Sequence, residues 1–200
     1  MPGGTGRGMK PQGLLSFVFC LGAVFSLAAC APSGRQELSI ADLQGRPCTP
    51  LLLGSSKANV VIFITNDCPI ANAYAPEIQA IIREYSPRGA AFFLVHVDPD
   101  LTSEKAKKHA ADFGYKCRIL RDPKHLLVKR LEADITPEAF VISPGGVKYR
   151  GRIDDLFADL GKKRRQARNL DLRNALDAVL AGKTVPSSKT EAVGCYIPEL

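Results

Sequence analysis

Val60-Val61-Ile62-Phe63-Ile64-Thr65-Asn66-Asp67-Cys68-Pro69 is the stretch that decides how this chain is read. Its first five residues are apolar and mostly β-branched, a composition that suits a strand buried on both faces. Pro69 suits the first turn of a helix, where the missing amide hydrogen has no intrahelical partner to lose. Cys68 therefore falls at a strand-to-helix junction. Unpaired amides and the positive end of the helix favour thiolate over thiol there, which makes Cys68 the first candidate nucleophile.

Outward from this junction, strand and helix patterns alternate. A polar stretch leads into short extended pieces over residues 38–53, around the turn Gln44-Gly45-Arg46-Pro47, followed by the strand at about 59–66. A helix is expected over 69–85 with a kink at Pro76. Residues 90–97 read as a second buried strand and 103–113 as a helix. A short strand at 118–120, a short helix at 123–131 and a strand at 138–143 follow. Pro144-Gly145-Gly146 turns the chain into a hairpin partner at 147–153. A terminal helix spans about 170–180, stopped by Gly182, and residues 183–200 read as an irregular tail containing Cys195. Such alternation ending in a hairpin and helix predicts an α/β domain with a central mixed sheet flanked by helices.

The N-terminal thirty residues hold Arg7 and Lys10, no acidic residue, and an apolar run from Leu14 to Ala29. This is the pattern of a secretory signal, too short for a spanning helix. Leu27-Ala28-Ala29-Cys30 resembles the lipobox of bacterial lipoproteins, which implies a signal over 1–29, cleavage before Cys30 and lipid on its thiol. Residues 30–37 then form a tether, and the attached acyl chains hold the domain at a membrane on the extracytoplasmic side of a bacterial envelope. Without Arg7 and Lys10, 25 of the 27 basic residues remain against 20 acidic ones, a net +5 in place of +7. The excess lies in Lys162-Lys163-Arg164-Arg165 and Arg168, a run expected to be solvated. No stacking aromatics accompany it, which argues against a nucleic-acid partner. About 170 mature residues suit one core.

Cys20 leaves with the leader and Cys30 is lipidated, so Cys48, Cys68, Cys117 and Cys195 remain, with three complete pairings open to them. A lone cysteine such as Cys117 is more often a small apolar residue than a reagent. The histidines His96, His109 and His125 have no ligand-like spacing and predict no metal site.

The element order, Cys68-Pro69, the proline-kinked first helix and Thr136-Pro137-Glu138-Ala139-Phe140 resemble the thioredoxin fold over residues 38–182. Within it the chain is similar to the redoxins of the alkyl hydroperoxide reductase and thiol-specific antioxidant (AhpC/TSA) family and to the membrane-tethered TlpA-like proteins. The resemblance implies a cis bond at Pro137 beside the nucleophile, with Thr136 offering backbone contacts to a bound thiol substrate. It also implies a redox activity that needs no organic cofactor, because electrons pass through sulfur. Its partners are a thiol or disulfide substrate, or a hydroperoxide, and an extracytoplasmic thiol reductant.

Two departures shape the expectation. Thioredoxin's Cys-x-x-Cys is here Cys68-Pro69-Ile70-Ala71, so a mixed disulfide at Cys68 must be resolved by a more distant thiol. Cys195 is the expected resolver, in a context that resembles the C-terminal resolving site of two-cysteine peroxiredoxins. Peroxiredoxins carry Pro-x-x-x-Thr-x-x-Cys; Thr65 matches the threonine, Val61 replaces the proline, and the arginine before the later strand is missing. Arg150 and Arg152 are expected to face solvent. Asp67 either raises the Cys68 thiol pKa by repulsion or caps the helix and points away. The readings are a thiol redox protein acting by thiol–disulfide exchange or hydroperoxide reduction and, as an alternative, a redox-inactive binding module assisting an envelope complex.

Overall fold

The computed structural model describes residues 3–4 and 37–200. The expected leader, most of the tether and the Cys30 lipidation site lie outside the described residues. The domain opens with a two-stranded antiparallel pair, β1 (Ile40–Ala41) and β2 (Pro47–Cys48). Its turn is held by the Asp42 carboxylate, which accepts from the Gln44 and Arg46 amides at 2.9 Å each. Then come β3 (Ala58–Ile64), α1 (Pro69–Ala73), α2 (Ala75–Tyr85), a 3-10 turn at Ser86–Arg88, and β4 (Ala90–His96). The middle of the chain supplies α3 (Ser103–Asp112), β5 (Arg118–Arg121), α4 (Leu126–Leu131), β6 (Ile135–Thr136) and β7 (Glu138–Ser143). The last elements are β8 (Gly146–Gly151), a ribbon of β9 (Phe157–Asp159) and β10 (Lys162–Lys163), α5 (Asp171–Leu180) and β11 (Cys195–Tyr196).

Strand β3 lies at the centre because all seven of its residues are buried. It is the middle member of a five-stranded sheet ordered β5-β4-β3-β7-β8. Pairing is parallel from β3 through β5 and antiparallel from β3 through β7 to β8, so the sheet is mixed and flanked by helices, as the element pattern predicts. Alternation along β3 sends Val60, Ile62 and Ile64 to the face covered by Ile78, Ile81 and Tyr85 of α2 and Leu172 and Leu176 of α5. Val61 and Phe63 face the other way, toward Phe140 of β7 and Leu127, Val128 and Leu131 of α4. Phe63 and Phe140 meet edge-on, with ring centroids 5.6 Å apart. Truncating a fully buried phenylalanine of this kind costs on the order of 3–5 kcal/mol.

The helix expected over 69–85 is two helices, broken at Tyr74 two residues before Pro76. Pro76 sits in the first turn of α2, where it needs no amide, so the chain restarts a helix there instead of bending one. The break is pinned by chemistry. Tyr74 is buried and donates from its hydroxyl to Asp154 Oδ1 at 2.7 Å. Burial first, and then the Asp154 charge, push the Tyr74 hydroxyl far up; burial likewise raises the Asp154 carboxyl, against the lowering effect of the Tyr74 hydrogen bond. This pair ties the first helical segment to the loop before β9. The β9–β10 ribbon has no counterpart in the sequence reading: its two antiparallel strands are short and carry little periodicity. Lys162 and Lys163 are exposed on it, in keeping with a solvated basic run.

Candidate active site

Cys68 follows the end of β3 and is the N-cap of α1, with its sulfur accepting the Ala71 amide at 3.3 Å. Of the unpaired amides expected at this junction, that of Ala71 is the one aimed at the sulfur from α1, a helix of only five residues. As a thiol, Cys68 donates to the Thr136 carbonyl at 3.2 Å. The Thr136–Pro137 bond is cis. Asp67 is exposed and accepts the Asn66 side-chain amide at 2.8 Å, while Cys68 itself takes the capping role.

Thr65 does not hydrogen bond Cys68. It is buried, and its hydroxyl lies 3.2 Å from that of Thr136. Thr136 Oγ1 in turn donates to the Cys195 carbonyl at 3.3 Å. The three residues are linked because the tail, read from sequence as irregular, returns to the domain. It first adds alongside β8, with the Arg150 amide donating to the Ser188 carbonyl at 2.9 Å and the Thr190 amide to the Arg150 carbonyl at 3.0 Å. It then forms β11 against β6, Cys195 opposite Thr136 and Tyr196 opposite Ile135, both antiparallel. The Ile197 amide closes the end by donating to the Asp134 carbonyl at 2.9 Å.

Cys195 thus comes to lie against Cys68, and the two thiols polarise in opposite directions. Burial is the largest effect on Cys68 and raises its pKa. The neighbouring Cys195 thiol, the Ala71 and Cys195 amides and the Thr136 hydroxyl beside it outweigh it and leave Cys68 below the ordinary cysteine range. Burial, the hydrogen bond to Cys68 and the Cys68 charge push Cys195 up to about 12. Of the two sulfurs, Cys68 is the more readily ionised and Cys195 the one that keeps its proton and donates it. Among the described residues all four cysteines are free. Cys48 is buried on the β3 face that carries Val61, where Arg118 donates toward its sulfur at 3.7 Å. Cys117 packs against the opposite face, its thiol pushed by burial to about 12.

Arg150 and Arg152 are not free solvent-facing side chains. Arg150 pairs with Glu138 at 2.7 Å and Asp134 at 3.1 Å, and Arg152 with Asp171 at 2.7 Å. Acidic partners brought in by the sheet and α5 were not readable from the strand's alternation. Among the described residues no arginine hydrogen bonds Cys68, Thr65 or Thr136. Nor do three His, Cys, Asp or Glu side chains converge there as a metal-binding set.

Two contributors escaped sequence reading. Gly194 lets the tail approach: a Cβ on it would stand 2.0 Å from the Thr136 carbonyl oxygen. The Gly194-Cys195 pair was its visible signal. The second is a polar layer beside α1, half-buried at its asparagines and Asp98 and buried at its histidines. The Asn66 amide donates to Asp98 at 3.0 Å, Asn72 donates to the Asn66 carbonyl at 3.0 Å, and Asn72 also meets His109 at 2.9 Å. His109 packs edge-on against His96, at 4.9 Å between rings. Burial first, and then the neighbouring His96, hold His109 at about 4, so it is neutral at ordinary pH. This layer fixes the loop that presents Cys68.

Comparison with known proteins places these observations. A sequence model of the AhpC/TSA family matches residues 34–150. A hypothetical protein from Sinorhizobium meliloti 1021 is similar in structure, with a TM-score of 0.72 and 26% identity, over 80% of this chain and 89% of that one. An uncharacterized conserved protein from Geobacillus kaustophilus gives 0.70 and 25%, over 82% and 88%. A secreted Mycobacterium tuberculosis disulfide oxidoreductase homologous to E. coli DsbE shares the fold at 0.52 and 16%, over 73% and 96%. No curated protein matches the chain.

Proposed function

The chain belongs to the AhpC/TSA family, and we propose that it is an extracytoplasmic thiol–disulfide oxidoreductase in which Cys68 attacks and Cys195 resolves. The observation that carries this reading is the pairing of β11 with β6, which sets Cys195 against Cys68 beside the cis bond. A single reactive thiol would stall as a mixed disulfide, and the tail supplies the second.

The Cys68 thiolate attacks one sulfur of a substrate disulfide. The substrate S–S bond breaks, one substrate thiolate leaves, and a mixed disulfide forms on Cys68. Cys195 gives up its proton and attacks the Cys68 sulfur, expelling the second substrate thiolate. Two electrons have passed to the substrate, and Cys68 and Cys195 are joined. An extracytoplasmic thiol reductant restores the pair. Thr65 acts as a positioning residue by orienting the Thr136 hydroxyl, which lies within reach of both the Cys195 carbonyl and the Cys68 sulfur. Exchange is favoured over hydroperoxide reduction because the nearby arginines in sequence are committed to Glu138, Asp134 and Asp171. Leaving oxygen as hydroxide needs a stabilising cation or donor cluster. The lipobox-like Leu27-Ala28-Ala29-Cys30 supports a lipid anchor at Cys30 in the bacterial envelope.

The test is turnover of a protein disulfide with excess thiol reductant, together with mass mapping after oxidation. The expected result is a Cys68–Cys195 disulfide in the wild type, a trapped substrate adduct in Cys195→Ser, and no reaction in Cys68→Ser. A Cys68 that reacts neither with disulfides nor with alkylating agents refutes the reading and leaves the binding-module alternative.

A further inference from the structure

Cys68 is 2% exposed, and the strand that covers it is held by the backbone of the residue next to the cis proline. An external disulfide cannot reach this sulfur while residues 194–196 keep that place. The part of the tail over Cys68 is nevertheless held by a strand of only two residues, the Thr136 hydroxyl and one further bond from Ile197 to Asp134, and so short a pairing opens far more readily than a core strand, while the anchor along β8 can stay in place. Beside it runs an open groove of about 990 Å³, lined among others by Ile135, Glu138, Arg150, Val193 and Tyr196. There is room for the tail to move without disturbing the sheet.

The way the tail sits records what the place accepts. Its backbone is extended and antiparallel to β6, with a cysteine opposite Thr136. The residue before that cysteine has no space for a side chain: a Cβ on Gly194 would lie 2.0 Å from the Thr136 oxygen, 2.7 Å from the Thr136 carbonyl carbon and 3.0 Å from Ile135 Cγ2. The backbone of β6 is in the way, so no rotamer change relieves it. The residue after the cysteine is unconstrained, since Tyr196 is 80% exposed.

We propose that the edge of residues 135–136 is a seat used in turn by substrate and tail, and that the substrate is an extended polypeptide disulfide whose reacting cysteine directly follows a glycine. This rests on the reading of Cys68 as the nucleophile. The substrate peptide displaces residues 194–196, pairs with β6 in the same direction, and presents its sulfur to Cys68. Attack breaks the peptide's disulfide, releases one thiolate and leaves the peptide bonded to Cys68. Return of the tail to the same edge then brings the Cys195 sulfur to Cys68, and the peptide leaves as its thiolate. Resolution and product ejection are one event, because the two strands compete for one set of backbone groups.

The experiment uses the full chain carrying Cys195→Ser and two peptides, Val-Gly-Cys-Tyr-Ile and Val-Ala-Cys-Tyr-Ile, each as a mixed disulfide with 5-thio-2-nitrobenzoate. Release of the yellow thiolate gives the rate, and mass measurement identifies the peptide on Cys68; the Cys68→Ser, Cys195→Ser double variant gives the background. The glycine peptide is expected to react at least tenfold faster, to accumulate on the Cys195→Ser protein, and to be expelled from the wild type as the Cys68–Cys195 disulfide forms. Equal rates for the two peptides overturn the seat while leaving Cys68 a nucleophile. A protein that reacts with neither peptide nor with the symmetrical nitrobenzoate disulfide overturns the nucleophile itself. A second measurement needs no variant. The unreactive peptide Val-Gly-Ser-Tyr-Ile should accelerate alkylation of wild-type Cys195 saturably, and a flat response to it also overturns the shared seat.

Discussion

Replacing Gly194 with alanine tests whether the tail's close approach sets the chemistry of Cys195. The added Cβ would stand 2.0 Å from the Thr136 oxygen, about 1 Å inside the closest approach such atoms make. Overpacking of this kind costs on the order of 1–3 kcal/mol, enough to free a two-residue strand without unfolding the sheet. Docked, Cys195 is held at about 12; released, it returns toward the free-cysteine value of about 8.5. At pH 8.5 its thiolate fraction then rises from roughly 1 in 3,000 to about one half, while the lower basicity of the freed thiolate takes back roughly 25- to 55-fold of that gain. Alkylation of Cys195 should therefore speed up by about fortyfold, before any gain in access is counted. Timed alkylation with peptide mass mapping measures it, and thermal melting checks that the domain remains folded. Cys195 labelling within about threefold of wild type in a folded variant refutes the link between backbone contact and thiol state.

Other expectations follow from the same geometry. Cys195→Ala removes a hydrogen-bond donor from Cys68, so the midpoint of Cys68 alkylation against pH should move upward; an unmoved midpoint means the backbone amides and Thr136 lower it without the Cys195 thiol. Tyr74→Phe leaves the buried Asp154 carboxylate without its 2.7 Å donor and should cost about 1–3 kcal/mol in urea unfolding. A loss below about half a kcal/mol would show the pair to be dispensable. His109 is held at about 4, below its ordinary 6.5, so the stability it contributes is complete above pH 6.5 and lost as pH falls toward 4. The full swing is on the order of 3 kcal/mol, and His109→Gln should flatten that part of the stability profile. A variant with the wild-type slope removes His109 as its cause.

Much of this was legible because it is local. The apolar run of β3, the proline after Cys68 and the alternation of strand and helix each act over a few residues, and the sheet follows from them. The break at Tyr74 was misplaced by two residues because Pro76 announces a disturbed helix without saying whether the helix bends or restarts. The ion pairs of Arg150 and Arg152 were hidden for a different reason: their acidic partners come from distant segments, which a strand's own alternation does not reveal. At the candidate site, the place of Cys68 was readable from its junction, and that of Cys195 only from its position on the tail and a context resembling the C-terminal resolving site of two-cysteine peroxiredoxins. Gly194 carried the missing information, but a glycine in a tail looks like flexibility until the strand it lies against is known. The histidine layer was equally silent, because single histidines separated along the chain give no period.

Nearly the whole domain separates Cys68 from the strand that covers it. Synthesis proceeds from the N-terminus, so Cys68, β6 and the entire sheet are made before residues 194–196 exist. Through that interval the thiol has its Ala71 amide but lacks both the Cys195 donor and the cover of the tail. A chain made only that far therefore has Cys68 uncovered and without the Cys195 thiol beside it. Completion of residues 194–196 both shields that sulfur and sets the Cys195 thiol beside it, so the state of Cys68 is fixed by a strand made long after its own.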